Sequence, residues 1–209
     1  MQRLEGLAGW GLKAIPVHRQ VADTSTALAS LEHDVIACTR CPLYRTRTHH
    51  VFGEGNPDAR LLFVGEAPGR EEDLQGRPFV GAAGQLLTKM IEAIGLSREE
   101  VYICNVLKDR PPGNRTPEPS EIEACLPFLE QQVAIIHPHV MCALGAIPSK
   151  ALLGPHVAIT KIRGHVCDYR GIPLIPTFHP AYLLRNPAAK RLVWQDLKKV
   201  KKLLEGNSG

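Results

Sequence analysis

Apolar positions fall in short runs separated by longer amphipathic stretches, and this alternation predicts an α/β chain. Residues 26–37 (TALASLEHDVIA) place Leu28, Leu31, Val35 and Ile36 on one helical face, with Thr24 or Ser25 as the cap. Residues 60–65 (RLLFVG), 101–107 (VYICNVL), 139–144 (HVMCAL) and 172–178 (IPLIPTF) are apolar runs of strand length. Between them, 80–94 reads as helical and stops at Gly95, 119–136 reads as helical with Ser120 and Glu123 as a capping box, and a short helix runs from Gly145 to Leu153. A helix over 187–205 follows the last strand. Buried strands alternating with helices predict a three-layer α/β/α sandwich around a central, mainly parallel four-stranded sheet. Residues 1–25 carry scattered glycine and Pro16 without a sustained period, so they read as a loosely organised extension. The folded domain is expected over 26–205, with 206–209 as a tail.

In such sheets, ligands gather outside the carboxyl ends of the strands. That rule selects residues 65–69, 105–109 and 179–185. The first is Gly65-Glu66-Ala67-Pro68-Gly69, a tight turn whose backbone N–H groups suit an anion or a carbonyl oxygen. Taken alone it is also an ordinary strand-to-helix loop. The second begins at Asn105, whose amide offers a donor and an acceptor together, although a turn asparagine commonly bonds its own backbone. The third is His179-Pro180-Ala181-Tyr182-Leu183-Leu184-Arg185, where a histidine can answer charge developing on an oxygen. Leu183, Leu184 and Arg185 are the residue types of an apolar wedge and a phosphate clamp, or else a helix start with a buried leucine pair.

Composition changes this picture little. The chain has 209 residues, 44% hydrophobic and 22% charged, an ordinary globular balance that is enough for one large domain. No apolar run reaches the ~20 residues of a membrane span, and no basic region leads into a long apolar stretch as a secretory signal would. The net charge of +4 leans mildly toward an anionic partner. In the last helix Lys190, Arg191, Lys198, Lys199, Lys201 and Lys202 read as a solvated face, with Leu192, Val193, Leu197, Val200, Leu203 and Leu204 packing inward.

The six cysteines are more informative. Without a secretory signal, and with a core large enough to stand alone, they are not expected to form disulfides. Cys104 and Cys142 lie inside apolar runs and read as small buried hydrophobes, while Cys167 has no partner at ligand spacing. Cys38 and Cys41 form a Cys-x2-Cys pair directly after the first helix and require an explanation.

Together the motifs say more than each does singly. Gly-Glu-Ala-Pro-Gly, Gln-Gly-Arg-Pro-Phe-Val-Gly (75–81), Asn105 in Asn-Val-Leu-Lys, Arg-Pro-Pro-Gly-Asn-Arg (110–115) and His-Pro-Ala-Tyr-Leu-Leu-Arg occur in the order and spacing of the family 4 uracil-DNA glycosylases. The resemblance covers residues 35–204 and implies a monofunctional, monomeric hydrolase of base excision repair, cytoplasmic in a prokaryote, that acts on uracil in single- and double-stranded DNA. It implies that Phe79 stacks on the flipped base and that Asn105 accepts from uracil N3–H and donates to O4. Backbone N–H groups near Glu66 and Ala67, with His179, would face O2 as uracil leaves as an anion. Glu66 would help position the attacking water. Family 1 glycosylases carry an aspartate in the equivalent loop, where Ala67 stands here, so catalysis would lean on leaving-group stabilisation. DNA contact is expected from Arg110, Arg115, Leu183, Leu184 and Arg185.

The resemblance also implies a [4Fe-4S] cluster, with Cys38 and Cys41 as the first two ligands and Cys125 as the last. The third ligand in that family is a cysteine in a Lys-Cys-Arg-Pro-Pro-Gly-Asn-Arg stretch, and Asp109 occupies that position here. Asp109 is expected to ligate the fourth iron, less firmly than a thiolate. A three-iron cluster, recruitment of Cys104, zinc on the same residues, or no metal at all are the alternatives. One related group captures uracil covalently through the histidine of a Lys-Arg-Arg-Ile-His loop. Arg-Pro-Pro-Gly-Asn-Arg stands there instead, which favours turnover. A non-enzymatic cluster protein is the third class, disfavoured by the Glu66, Asn105 and His179 set.

Overall fold

The computed structural model describes residues 23–206. The extension expected over 1–25 and the tail expected over 206–209 therefore fall outside the described residues, except that Thr24 and Ser25 already belong to a helix and Gly206 ends one.

Helix α1 is Thr24–Ile36, entered from Asp23 rather than capped by Thr24 or Ser25. Its buried face is Leu28, Leu31 and Val35, while Ile36 is 45% exposed. The four apolar runs become parallel strands: β2 Leu61–Gly65, β3 Tyr102–Asn105, β4 Val140–Leu144 and β6 Ile172–Thr177. Two short antiparallel strands were not anticipated. β1 (Glu54–Gly55) pairs with β3 and β5 (Cys167–Tyr169) pairs with β6, which makes a six-stranded sheet of order β1-β3-β2-β4-β6-β5. They were missed because two or three residues carry no readable period.

The remaining helices are α2 (Arg70–Gln75), α3 (Ala82–Ala93), α4 (Pro119–Ile136), α5 (Ala146–Leu153), α6 (Ile159–Ile162), α7 (Pro180–Arg185) and α8 (Lys190–Gly206). The expected capping box of α4 is displaced. Glu118 is the N-cap, Pro119 takes the first turn, and the Glu121 carboxylate accepts from Glu118 N at 2.8 Å. Of the six residues expected to face inward on α8, Val193, Leu197, Val200 and Leu204 are buried, and Leu192 and Leu203 are half-buried at the edge of that face.

Strand periodicity sorts the core into two layers. On β2, Leu62 and Val64 meet Leu28, Leu31 and Val35 of α1 and Leu129 and Val133 of α4. Leu61 and Phe63 face the other way, onto Leu87 and Ile91 of α3 and Val193, Leu197 and Val200 of α8. Each such side chain stabilises the fold by about 1.5–3 kcal/mol on burial. Covered on both faces, the parallel strands send their carboxyl ends to one rim, where the loops after β2, β3 and β6 converge. Among the described residues no helix is long and apolar enough to cross a membrane.

Candidate active site

At that rim lies a cleft of about 580 Å³ bounded by Glu66, Ala67, Phe79, Asn105, His179 and Arg185. These residues come from the loops selected in the sequence and from the segment before α3. The link between β2 and β3 continues past the strands, because Val106 N donates to Gly65 O and Leu107 N to Glu66 O, both at 3.0 Å. The two loops are therefore tied to each other through the main chain.

Gly65 is required for space rather than for backbone freedom. A Cβ there would stand 2.2 Å from Asn105 Oδ1 and 2.5 Å from Phe79 Cζ. The glycine thus lets the amide and the ring close on one slot. Phe79 has φ +53°, a conformation that costs a non-glycine residue about 1–3 kcal/mol and persists only when its surroundings impose it. The clamp is Glu72. Its Oε1 accepts from Val80 N and Gly81 N at 3.0 Å each, and its Oε2 accepts from Gly69 N at 3.1 Å. Glu72 stands three residues after the helix-capping Gly69, the position of a capping acid.

Asn105 is 2% exposed, and its Oδ1 is a buried acceptor without a hydrogen-bond partner among the described residues. Leaving such a group unpaired costs about 1–3 kcal/mol, so it calls for a donor from a ligand. Beside it, the His179 ring lies 5.6 Å from the Phe79 ring, tilted by 31°. His179 Nδ1 accepts from Ala181 N at 3.1 Å, capping α7. In the neutral imidazole the proton is therefore on Nε2, which makes that nitrogen a donor. Burial, assisted by the positive Arg185, pulls the His179 pKa down to about 4, so the ring is neutral at physiological pH. Burial alone pushes the Glu66 carboxyl above its ordinary value.

The residues expected at DNA divide. Arg185 is exposed at the cleft, and Leu184 is 47% exposed beside it. Leu183 does not belong with them. It is 1% exposed and packs in the layer with α3 and α8, on the side of α7 turned to the core. Arg115 lines the cleft, but both its terminal nitrogens bond Glu121, at 2.9 and 2.6 Å. Arg110 lies outside the cleft lining and donates to Asn114 Oδ1 at 2.6 Å. Arg70 and the 39%-exposed Tyr182 line the cleft without having been singled out.

A second grouping lies behind Asn105. Cys38 and Cys41 pack against the core layer that contains Cys125. Cys125 Sγ accepts from Lys108 N at 3.2 Å, and burial pushes its thiol up to about 11. Burial likewise raises Cys41, opposed by a backbone hydrogen bond from Leu43. Asp109 is engaged elsewhere. Arg47 Nη1 donates to both of its oxygens, at 2.9 and 3.2 Å, and Arg47 Nη2 donates to Ile36 O at 2.6 Å. Burial raises the Asp109 carboxyl, and the Arg47 guanidinium works against that rise. Among the described residues, no three Cys, His, Asp or Glu side chains converge as a ready metal cage. Cys104 and Cys142 are buried in the two core layers, as their apolar runs predict.

A family model, the Uracil DNA glycosylase superfamily, matches residues 52–198. A Type-4 uracil-DNA glycosylase of Thermotoga maritima is 53% identical over 80% of this chain and 90% of its own length. Proteins of the same description from Sulfurisphaera tokodaii and Archaeoglobus fulgidus are 47% and 41% identical, each over 85% of this chain and over 84% and 93% of their own lengths.

Proposed function

The chain belongs to the uracil-DNA glycosylase superfamily and is an enzyme that excises uracil from DNA, and we propose that Asn105, Phe79, His179 and Glu66 carry out the excision. The observation that carries this reading is the unpaired Asn105 Oδ1 in a slot that Gly65 leaves open. Uracil N3–H is a donor that satisfies it, and the Asn105 amide N–H then meets O4. Cytosine carries an acceptor at N3 and a donor at N4, so it leaves both ends of the amide unpaired. Phe79, held at φ +53° by the Glu72 clamp, stacks on the base.

The bond that breaks joins C1′ of the sugar to N1 of the base. Its electron pair leaves with uracil as an anion whose charge spreads to O2, and the sugar becomes oxocarbenium-like. A neutral His179 donating from Nε2 toward O2 stabilises that charge where it develops. Water adds to C1′ and loses a proton, leaving an abasic site. The Glu66 carboxylate orients that water. Arg185, which lines the cleft, suits a phosphate contact, and the exposed Leu184 next to it in the chain suits a wedge. Single- and double-stranded DNA are both substrates in this reading, and the protein acts as a monomer. The test is turnover on a uracil-containing oligonucleotide, single-stranded and paired, with wild type and a folded Asn105→Ala variant. Loss of release in the variant supports the assignment.

The family resemblance also brings an iron–sulfur cluster. Three residues have the chemistry it needs, although they do not converge on one point in this structure. Cys38, Cys41 and Cys125 are thiols of one neighbourhood, and backbone N–H groups of Leu43 and Lys108 serve the sulfurs of Cys41 and Cys125, as they would serve metal-bound thiolates. The fourth position does not fit as it stands, because the carboxylate of Asp109 is the partner of Arg47. A cluster held by the three cysteines would brace the segment after α1 against α4, whose Cys125 sulfur accepts from Lys108 N in the loop after β3. No step of uracil release passes through it.

A further inference from the structure

Directly behind Asn105 lies a buried amine that the mechanism does not use. Lys108 is 1% exposed and among the largest fully buried side chains of the protein. Its Nζ donates to Asn105 O at 2.7 Å and to Gln132 Oε1 at 2.6 Å. Gln132 is 0% exposed and donates its own Nε2 to Phe52 O at 3.0 Å. The main chain of Lys108 is fixed as well. Its N donates to Cys125 Sγ at 3.2 Å, and its O accepts from Val51 N at 2.7 Å. No carboxylate pairs with the amine among the described residues; its neighbours are amides, thiols and the Phe52 ring, 6.0 Å away.

Burying an amine without a counter-ion is expensive, and an apolar chain of the same length would fill the space at lower cost. Filling the space alone therefore does not account for the amine. What the amine supplies, and an apolar side chain does not, is a fixed donor to the main-chain oxygen of Asn105. The base-reading amide hangs from that same residue, and such groups must be held within about 0.5 Å of their working geometry. Gln132 keeps the amine in place through its acceptor and is itself anchored to Phe52.

We propose that Lys108 is a positioning residue for base recognition: held by Gln132, its Nζ fixes Asn105 through the main-chain oxygen so that Oδ1 stays aimed at the base edge. The inference rests on Asn105 reading uracil. It makes Lys108 and Gln132 determinants of uracil selectivity although neither touches the base.

The test is a double-mutant cycle in full-length protein. Single-turnover uracil release and inhibition by free uracil are measured for wild type, Lys108→Met, Asn105→Ala and the double variant, with thermal melting alongside. Lys108→Met is expected to lower uracil release about tenfold and to weaken free-uracil inhibition, while Tm stays level or rises. In the Asn105→Ala background the same substitution is expected to cost almost nothing. An equal loss in both backgrounds would show that Lys108 acts elsewhere and overturn the proposal. So would unchanged uracil release in a folded Lys108→Met protein, or a loss that merely follows a fall in Tm. Wild-type release by Asn105→Ala would instead refute the base-reading assignment itself. If Lys108→Met does not fold, Gln132→Leu, which removes the anchor but keeps the amine, enters the same cycle with the same criteria.

Discussion

Arg47 and Asp109 form the ion pair that joins the segment after α1 to the loop after β3, and the guanidinium also holds the carbonyl oxygens of Val35 and Ile36. Both side chains are largely buried, at 16% and 11% exposure. Replacing Asp109 by Ala leaves the guanidinium with backbone partners alone and is expected to cost about 1–3 kcal/mol, below the full cost of breaking a buried pair because those partners remain. Urea unfolding measures it.

Asp109→Cys carries a different expectation. It removes the pair and places a fourth thiol beside Cys38, Cys41 and Cys125. The cysteine variant should retain iron longer than wild type under a chelator, since thiolate suits iron better than a carboxylate claimed by an arginine. Iron per chain over time gives the answer; equal loss rates would mean that position 109 does not face the metal. Glycosylase activity should persist in either case.

The His179 ring sets a pH expectation. Its folded pKa of about 4 lies below the ordinary 6.5, so the folded state excludes a proton that the unfolded state accepts. Its contribution to stability is complete above pH 6.5 and declines as pH falls from there toward 4. The folded ring stays mostly neutral until the pH nears 4, so it does not set an acid limb that lies above that value. Glu66, raised by burial, does. The rate should fall below neutrality at a pH above the usual glutamate value, and Glu66→Gln should lower the plateau and remove that limb. A limb unchanged in Glu66→Gln would assign it to another group. His179→Ala should reduce turnover far more than DNA affinity, because the charge it answers appears only in the transition state.

Gly65→Ala is a steric test. Its methyl would meet Asn105 Oδ1 and the Phe79 ring at 2.2 and 2.5 Å, while the strand conformation itself accepts alanine. Uracil release should fall more than tenfold, about 1.4 kcal/mol or more, in a protein that still folds. Wild-type kinetics would mean that the slot is not the base site.

How much of this was legible beforehand depends on the range of the signal. The parallel strands and the long helices follow from periodicity, which is local. So does the inward face of α8. The edge strands β1 and β5 are too short to carry a period, and their existence depends on β3 and β6 offering free edges. Glu66, Phe79, Asn105 and His179 were legible because strand ends point to a site and their motifs resemble a known family. Which members of a motif face the cleft was not. Leu183 and Leu184 are equivalent in sequence, and only packing against α3 and α8 separates them. Lys108, Gln132 and Arg47 were invisible for a related reason: their partners lie 24 positions away for Lys108 and Gln132 and 62 for Arg47 and Asp109. Nothing local distinguishes a buried lysine from a solvated one.

The central claim is that the unpaired Oδ1 of Asn105 reads the uracil edge, and base release by Asn105 variants tests it most directly. Single-turnover release is measured on matched oligonucleotides carrying uracil or cytosine at one position, with wild type, Asn105→Ala and Asn105→Asp, each first shown to be folded by its melting transition. Both variants are expected to lose uracil release by at least the equivalent of one base-edge contact, about 1–3 kcal/mol. Asn105→Asp, protonated at its buried carboxyl, is also expected to narrow the gap between uracil and cytosine by offering a donor where the amide oxygen offers none. Uracil release at the wild-type rate by folded Asn105→Ala would contradict the account.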